Sequence, residues 1–555
     1  MNTPQFTHQN DPRFDFARDQ IDQFNQEQTK NIISVFEKSI REYSQRVAFS
    51  CFGKDITFSE LDKLSGAFSA WLLTEGGLQK GDRVAIQLPN ILQYPIAAWG
   101  VLRAGLILVN TNPLYTEREL EHQFNDSGAK AVVILDSFLP NAEKVIPKTG
   151  VELLIVTHAL DILDPQPLAD SELSNAINVV GMVDVLVQGK DQTLPANNAQ
   201  MSDVAVLQYT GGTTGVAKGA MLTHGCLFAY VCAATQTLHH EDPGFDPSII
   251  ECYVAPLPIY HIFGFSLYVV CNLAVGGRSV LIPNPSDLDG MMDVMASERF
   301  TGFAAVNSMF VGMLQSPKFD MIDWSHNRTT VTGGAALVPE VAREWEARTG
   351  SRVHEGYGLS ETTATVSFNS VLHYQLGTVG RPVAGLEVKL VDSEGNEVPE
   401  GERGELVVRG PQVMVGYWNR PEATDEAINA EGFFHTGDVA VKLPGNYYQI
   451  VDRLKDMLLV SGFNVYPNEI EHVVYTHDDV VECAVIGRPD EKTGEKVCLY
   501  AVSSNADLTE QDLIAFCRAQ LTGYKVPRQV TFLDGLPKSN VGKILRRELR
   551  DDRYA

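Results

Sequence analysis

The sequence predicts an α/β protein: a large N-terminal domain of two doubly wound sheets with a small β-subdomain, followed by a compact α+β C-terminal domain. Three observations predict it. From about Asn31 the chain alternates between buried-strand and helical patterns, the signature of parallel sheet covered by helices. Over residues 380–450 it turns to glycine- and valine-rich short strands such as VKLVDSEGNEV and GELVVRG. After Asp452–Lys455 the pattern resets over about a hundred residues, enough for an independent domain. The expected division is therefore a polar arm over 1–30, a large domain over 31–452 and a small domain over 453–555.

The elements follow in order. The run RVAIQL makes Arg83–Leu88 a buried strand. Ile91–Ala104 has helical spacing and stops at Gly105, and Leu106–Val109 is the next strand. Thr116 opens a helix, because T-E-R-E has the form of a capping box. Ala131–Leu135 returns as a strand. The same rhythm recurs in the strand Ser279–Pro283, the helix Leu288–Ser297, the strand Gly302–Val306 and the helix Val338–Arg348, closed by Gly350. In the small domain, helices are expected at Asn468–His477 and Thr509–Leu521, and strands at Glu482–Ile486 and Val497–Val502.

Composition narrows the function. The chain has 555 residues and a formal net charge of −26, with no long Lys/Arg run. Nucleic-acid binding needs a positive field, so it is set aside. An anion site here must be built locally, from backbone N–H groups and a few cations. The eight cysteines form no C-x-x-C pair and read as buried apolar residues of a reducing compartment. The N-terminus is polar and shows no secretory signal. Cys252–Gly277 carries no charge, but Pro256, Pro258, His261 and Asn272 interrupt it, so it reads as core and not as a membrane span. A cytoplasmic protein is expected.

Four segments carry chemistry. Tyr209-Thr-Gly-Gly-Thr-Thr-Gly-Val-Ala-Lys-Gly219 combines glycines, threonine hydroxyls and a lysine, the ingredients of a triphosphate cradle. It is not a Walker A loop, because Lys218 precedes Gly219 and both flanks read as strands. In Gly356-Tyr-Gly-Leu-Ser-Glu-Thr362 the glutamate could hold Mg²⁺ beside phosphate oxygens; taken alone a plain turn is as good a reading. His435-Thr-Gly-Asp438 and Asp452-Arg-Leu-Lys-Asp456 offer a carboxylate and an arginine for a ribose, though each alone is an ordinary surface turn. Lys538-Ser-Asn-Val-Gly-Lys-Ile-Leu-Arg-Arg547 places Lys543 after a glycine, and alone reads as a basic helix start. No G-x-S-x-G elbow, H-E-x-x-H or zinc spacing is present.

Together and in this order, these segments resemble the adenylate-forming superfamily of acyl-CoA synthetases, firefly luciferase and peptide-synthetase adenylation domains. The likeness runs from about residue 30 to 550. It is strongest to bacterial long-chain fatty acid–CoA ligases of β-oxidation, in NPLYTERELEHQFNDSGA, LQYTGGTTGVAKGAMLTH, GPQVMVGYWNRPEATDE, DMLLVSGFNVYPNEIE and LPKSNVGKILRRELRD. The resemblance implies two steps: a carboxylate attacks the α-phosphate of ATP, giving acyl-AMP and pyrophosphate, and the CoA thiol then displaces AMP. It implies Mg²⁺ as cofactor and ATP, CoA and a long-chain fatty acid as substrates. A medium-chain ligase, or an acyl-AMP ligase with another acceptor, is the alternative.

Roles carry over residue by residue. Tyr209, Thr210, Gly211, Gly212, Thr213, Thr214, Gly215 and Lys218 match the phosphate loop, and Glu361 with Thr210 the Mg²⁺ position. Gly334, Ala335, Glu355, Gly356, Tyr357 and Gly358 match the adenine pocket, with Ser360 at the α-phosphate. Asp438 and Arg453 match the ribose contacts, and Lys543 the adenylating lysine. The family's small domain rotates between half-reactions on a hinge corresponding to Lys455, which brings Gly462 and Phe463 to the thiol path. His261, Phe263, Val306, Asn307, Met309 and Gly333 are candidates for the acyl pocket. Two departures stand out: Leu454, where relatives often carry a basic residue, and Ser360 in place of the commoner threonine. Peripheral contact with the inner face of the membrane and a homodimer are left as open expectations.

Overall fold

The computed structural model describes residues 31–168, 171–194, 196, 198–210, 217–490, 492–538 and 544–551. Two large sheets form its body. One has seven strands, in the order Asn178–Gly181, Leu153–Thr157, Ala129–Leu135, Arg83–Gln87, Ile107–Asn110, Val204–Thr210 and Lys218–Thr223. All neighbours are parallel except the last pair, a hairpin. The other has nine strands, with a parallel centre from Val353–Tyr357 through Thr329–Thr332, Gly302–Ala305, Cys252–Ala255 and Arg278–Leu281 to Val47–Cys51. Antiparallel strands finish both of its edges.

Strand alternation sorts the side chains into layers. Val84 and Ile86 of the seven-stranded sheet join Tyr253, Ala255 and Leu281 of the nine-stranded sheet in one core between them. That core is filled by helices, among them Phe58–Leu73, Gln93–Arg103 and His224–Thr235. Ala85 and Val132 face the opposite way, onto Leu120 and Phe124 of the helix Glu117–Ser127. Val254 and Phe303 likewise face outward, onto Met291, Phe310 and Trp345. Each sheet is thus covered on both faces, as the doubly wound reading expects. The Thr116 capping box forms: the Thr116 N–H donates to Glu119 at 2.8 Å, and the Glu119 N–H returns to the Thr116 hydroxyl.

Residues 387–453 form a four-stranded antiparallel sheet, Glu387–Val391, Arg403–Arg409, Phe434–Leu443 and Tyr447–Arg453. Immediately beyond Arg453 the chain enters a separate five-stranded sheet with its own core around Ile470, Val485, Leu499 and Leu513. The helix expected to reach His477 stops at Val474, where it meets the turn into the strand Val480–Asp490. The uncharged stretch after Cys252 is buried, and its Phe265–Cys271 segment is a π-helix. Among the described residues no helix is long and apolar enough to cross a membrane. All eight cysteines are buried and none forms a disulfide.

Candidate active site

A cleft of about 2310 Å³ opens at the carboxyl ends of the parallel strands and is closed on one side by the C-terminal unit, through the helix Pro467–Val474 and residues 544–550. Carboxyl ends are where an open α/β sheet leaves a crevice. One end of the cleft starts at the strand pair expected to carry the phosphate loop, where Thr210 pairs directly with Lys218. Both residues border the cleft. Gly211, Gly212, Thr213, Thr214 and Gly215 lie outside the described residues. Tyr209 is 5% exposed and donates to the Asp126 carboxylate at 2.8 Å, so it supports the hairpin from below.

The second wall is the turn after the strand Val353–Tyr357. A Cβ on Gly358 would lie 1.9 Å from the Ala364 carbonyl oxygen, so only glycine permits this fold-back. Thr363 and Ala364 both hold left-handed backbone, with φ of 50° and 77°, and the Thr363 hydroxyl is tied to the Gln412 carbonyl oxygen at 2.7 Å. The strained turn presents Ser360 and Glu361 to the cleft. Burial raises the Glu361 carboxyl above its ordinary value, and the Tyr417 hydroxyl donates to its Oε1 at 2.9 Å. Glu361 with Thr210 is a donor set that fits Mg²⁺, which takes one or two protein oxygens and fills the rest from phosphates and water.

Sheet register makes the third group. Asp438 and Arg453 are direct partners on adjacent antiparallel strands, and Arg453 Nε lies 3.0 Å from Asp438 Oδ1. The Tyr357 hydroxyl donates to Asp438 Oδ2 at 2.5 Å. The carboxylate is therefore held from two sides where it borders the cleft. Gly333, Gly334, Ala335, Glu355 and Gly356 border the same end. Gly334 has φ +80°. Glu355 is buried, its pKa pushed up to about 8 by desolvation, and its Oε1 accepts the Leu337 N–H. It thus holds the loop that follows Gly334.

From this end the cleft continues into an apolar channel. His261, Phe263, Val306 and Asn307 border it, joined by Tyr230, Ala233 and Leu238 from the helix His224–Thr235 and its π-helical continuation Gln236–His240. Met309 does not: it packs on the outer core beside Phe310 and Trp345. On the helix Asn307–Gln315, residues two apart point to different faces, so the channel takes Asn307 and Val311 and leaves Met309 behind. Asn307 is also structural, its Oδ1 accepting the Val338 N–H at 3.0 Å.

The C-terminal wall brings Lys455, Arg546 and Lys538 to the cleft. Lys543 lies outside the described residues; Lys538 and Ile544, which bracket it, pair with each other and both border the cleft. Burial and neighbouring Arg453 lower the Lys455 ammonium's pKa. Gly462 and Phe463 lie away from the cleft, and Phe463 is 55% exposed and stacked on Tyr524 at 4.6 Å. Sequence reading missed Tyr417, whose signal was its place in the quoted segment GPQVMVGYWNRPEATDE. It also missed Tyr230 and Ala233, since a helix that is apolar all round does not tell which face lines a channel.

Residues 36–418 match the family described as AMP-binding enzyme, and 469–543 match the AMP-binding enzyme C-terminal domain. The chain belongs to the AMP-binding enzyme family. Within it, the chain is 45% identical over 545 residues to a long-chain-fatty-acid–CoA ligase of Escherichia coli O6:H1, covering 96% of each. A long-chain-fatty-acid–CoA ligase of Haemophilus influenzae is 42% identical, with 95% of each covered. Among solved structures, ATP-bound MatB from Rhodopseudomonas palustris superposes with a TM-score of 0.83 at 29% identity, over 95% of this chain and all of that one. The shared architecture extends through both sheets and the C-terminal unit.

Proposed function

We propose that this protein is a long-chain fatty acid–CoA ligase: fatty acid, ATP and CoA give acyl-CoA, AMP and pyrophosphate. The observation that carries the reading is the continuity of one cleft, from the Thr210–Lys218 hairpin and the Glu361 turn, past the Tyr357–Asp438–Arg453 group, into the apolar channel. An ATP and an acyl chain can meet there end to end. At roughly 0.8 kcal/mol per buried CH₂, a sixteen-carbon chain offers on the order of 10 kcal/mol before ordering losses.

In the first half-reaction the fatty acid carboxylate attacks the α-phosphate and pyrophosphate leaves. Anionic oxygens converge, so cations must converge with them. Lys218 and the phosphate-loop N–H groups take the leaving pyrophosphate, Ser360 contacts the α-phosphate, and Lys543 bridges carboxylate and phosphate. Glu361 and Thr210 would hold Mg²⁺, which when bound would neutralise charge on the phosphates. In the second half-reaction the CoA thiol attacks the acyl carbon and AMP leaves with the bond electrons. The domain beyond the Lys455 hinge rotates between the two steps, withdrawing Lys543 and bringing Gly462 and Phe463 to the thiol path. Gly462 already holds φ +82°, with open space around it. The reading carries a cytoplasmic location with peripheral contact at the inner face of the membrane, where long-chain acids partition.

The test is AMP and thioester release with ATP and Mg²⁺, with and without CoA, over acetate, octanoate, palmitate, oleate and benzoate. Turnover that needs CoA and peaks at palmitate or oleate is expected. Pyrophosphate release with no CoA-dependent thioester would assign another acceptor, and a benzoate optimum would overturn the channel argument.

A further inference from the structure

The segment Gln412–Trp418 forms no strand beyond a single bridge from Tyr417 to Ala220, and its backbone groups reach two site elements. Toward the Glu361 turn, the Met414 N–H donates to the Glu361 carbonyl oxygen at 2.7 Å. Toward the phosphate hairpin, the Gly416 carbonyl oxygen accepts the Met221 N–H at 2.9 Å, and the Val415 and Trp418 N–H groups donate to the Met221 and Gly219 carbonyl oxygens. The segment is a strap between two site elements that are more than a hundred residues apart in sequence.

Tyr417 repeats this bridging with its side chain. Its hydroxyl donates to Glu361 Oε1 at 2.9 Å, and the Lys218 ammonium sits 5.0 Å from its ring centroid. Lys218 has no carboxylate partner among the described residues, so the ring face is its anchor. The ring itself is placed from behind. The Tyr417 N–H donates to the Thr424 hydroxyl at 2.9 Å, and Gly416, with φ +142°, allows Thr424 to approach where a Cβ would lie 2.8 Å from it.

We propose that Tyr417 is a positioning residue that holds the cation-binding carboxylate and the phosphate-binding lysine at a fixed separation, its hydroxyl serving the first and its ring the second. The inference rests on the adenylating reading of this cleft. A hydrogen-bonded carboxylate meets a metal in one orientation without having to be ordered first, and groups that orient a metal ligand are commonly worth tenfold or more in metal affinity. A cation over an aromatic face is worth less, about 0.5–1 kcal/mol where solvent reaches it.

The two parts separate by substitution. In the full chain, ATP binding is followed by calorimetry at graded Mg²⁺ and again in excess chelator, without fatty acid or CoA. Tyr417→Phe should raise the Mg²⁺ concentration for half-maximal tightening of ATP binding roughly tenfold and leave metal-free ATP binding unchanged. Tyr417→Leu should do the same and also weaken metal-free binding about threefold, through the loss of the Lys218 platform. A Tyr417→Phe chain with the wild-type Mg²⁺ midpoint overturns the inference, as does an equal loss with and without metal in both variants. A wild-type chain that binds no ATP overturns the adenylating reading itself, a result distinct from either.

Discussion

On the N-terminal wall of the cleft, Glu355, Glu361 and Asp438 are each under a tenth exposed, and each is held by a hydroxyl, a backbone N–H or a guanidinium from a neighbouring strand or turn. The contacts across to the C-terminal unit are mixed, some partly in water and one, at Asp452, buried. Arg403 reaches Glu469 at 3.5 Å with both side chains partly in water, and lies 4.6 Å over the Tyr466 ring. Asp452 accepts the Asn468 N–H at 2.8 Å, its carboxyl pushed up to about 6 by burial. The difference teaches how one cleft can serve two reactions. We infer that the wall set in the core stays fixed while the opposing wall exchanges its contacts, those that solvent reaches costing little.

The sharpest way to break this comparison is to remove the group assigned to the movable wall alone. Lys543→Ala should slow acyl-AMP formation on the order of a hundred- to thousandfold, yet leave thioester formation from supplied acyl-AMP nearly intact. Equal loss in both, measured separately, would mean that the lysine belongs to both conformations. On the fixed wall the opposite pattern is expected. Asp438→Asn leaves Arg453 without its carboxylate, and should weaken ATP binding by about 2 kcal/mol, roughly thirtyfold, with both half-reactions affected. Retention of wild-type affinity would remove Asp438 from the nucleotide site.

Burial on the fixed wall also has a pH signature. An unfolded glutamate loses its proton near 4.5, whereas Glu355 in the fold holds it to about 8. Between those values the folded chain binds the extra proton, so stability falls as pH rises through this window and levels off above it. Glu355→Gln keeps an acceptor for the Leu337 N–H and should gain on the order of 1–2 kcal/mol at pH 8.5 relative to wild type, with little change at pH 4.5. Parallel melting-temperature profiles for the two chains would refute it. The smallest effect belongs to the domain contact. Arg403→Ala should shift the balance between conformations by about 0.5–1 kcal/mol, slowing adenylation two- to fivefold and sparing the thioester step. A loss confined to the thioester step would mean that this contact serves that step instead.

Much of the frame was legible because periodicity is local. The Thr116–Glu119 capping box and the paired strands on either side of the glycine-rich loop rest on residues close in sequence, and each formed. Asp438 and Arg453 were named from their motifs, and register placed them side by side. What sequence could not supply was facing. Met309 was a candidate for the acyl pocket, and the helix turned it to the other core. Phe265–Cys271 is apolar on all sides, so nothing marked it as a π-helix. Tyr417 and Glu361 are brought together by a strap that pairs with the hairpin, a contact no local pattern encodes.

The most direct test of the two-step account is a rapid-quench experiment with palmitate, ATP and Mg²⁺ in the absence of CoA. The account predicts that about one equivalent of palmitoyl-AMP and of pyrophosphate forms per chain and persists, and that added CoA converts it to thioester with release of AMP. Failure to form acyl-AMP until CoA is present, with thioester appearing in a single phase, would contradict it.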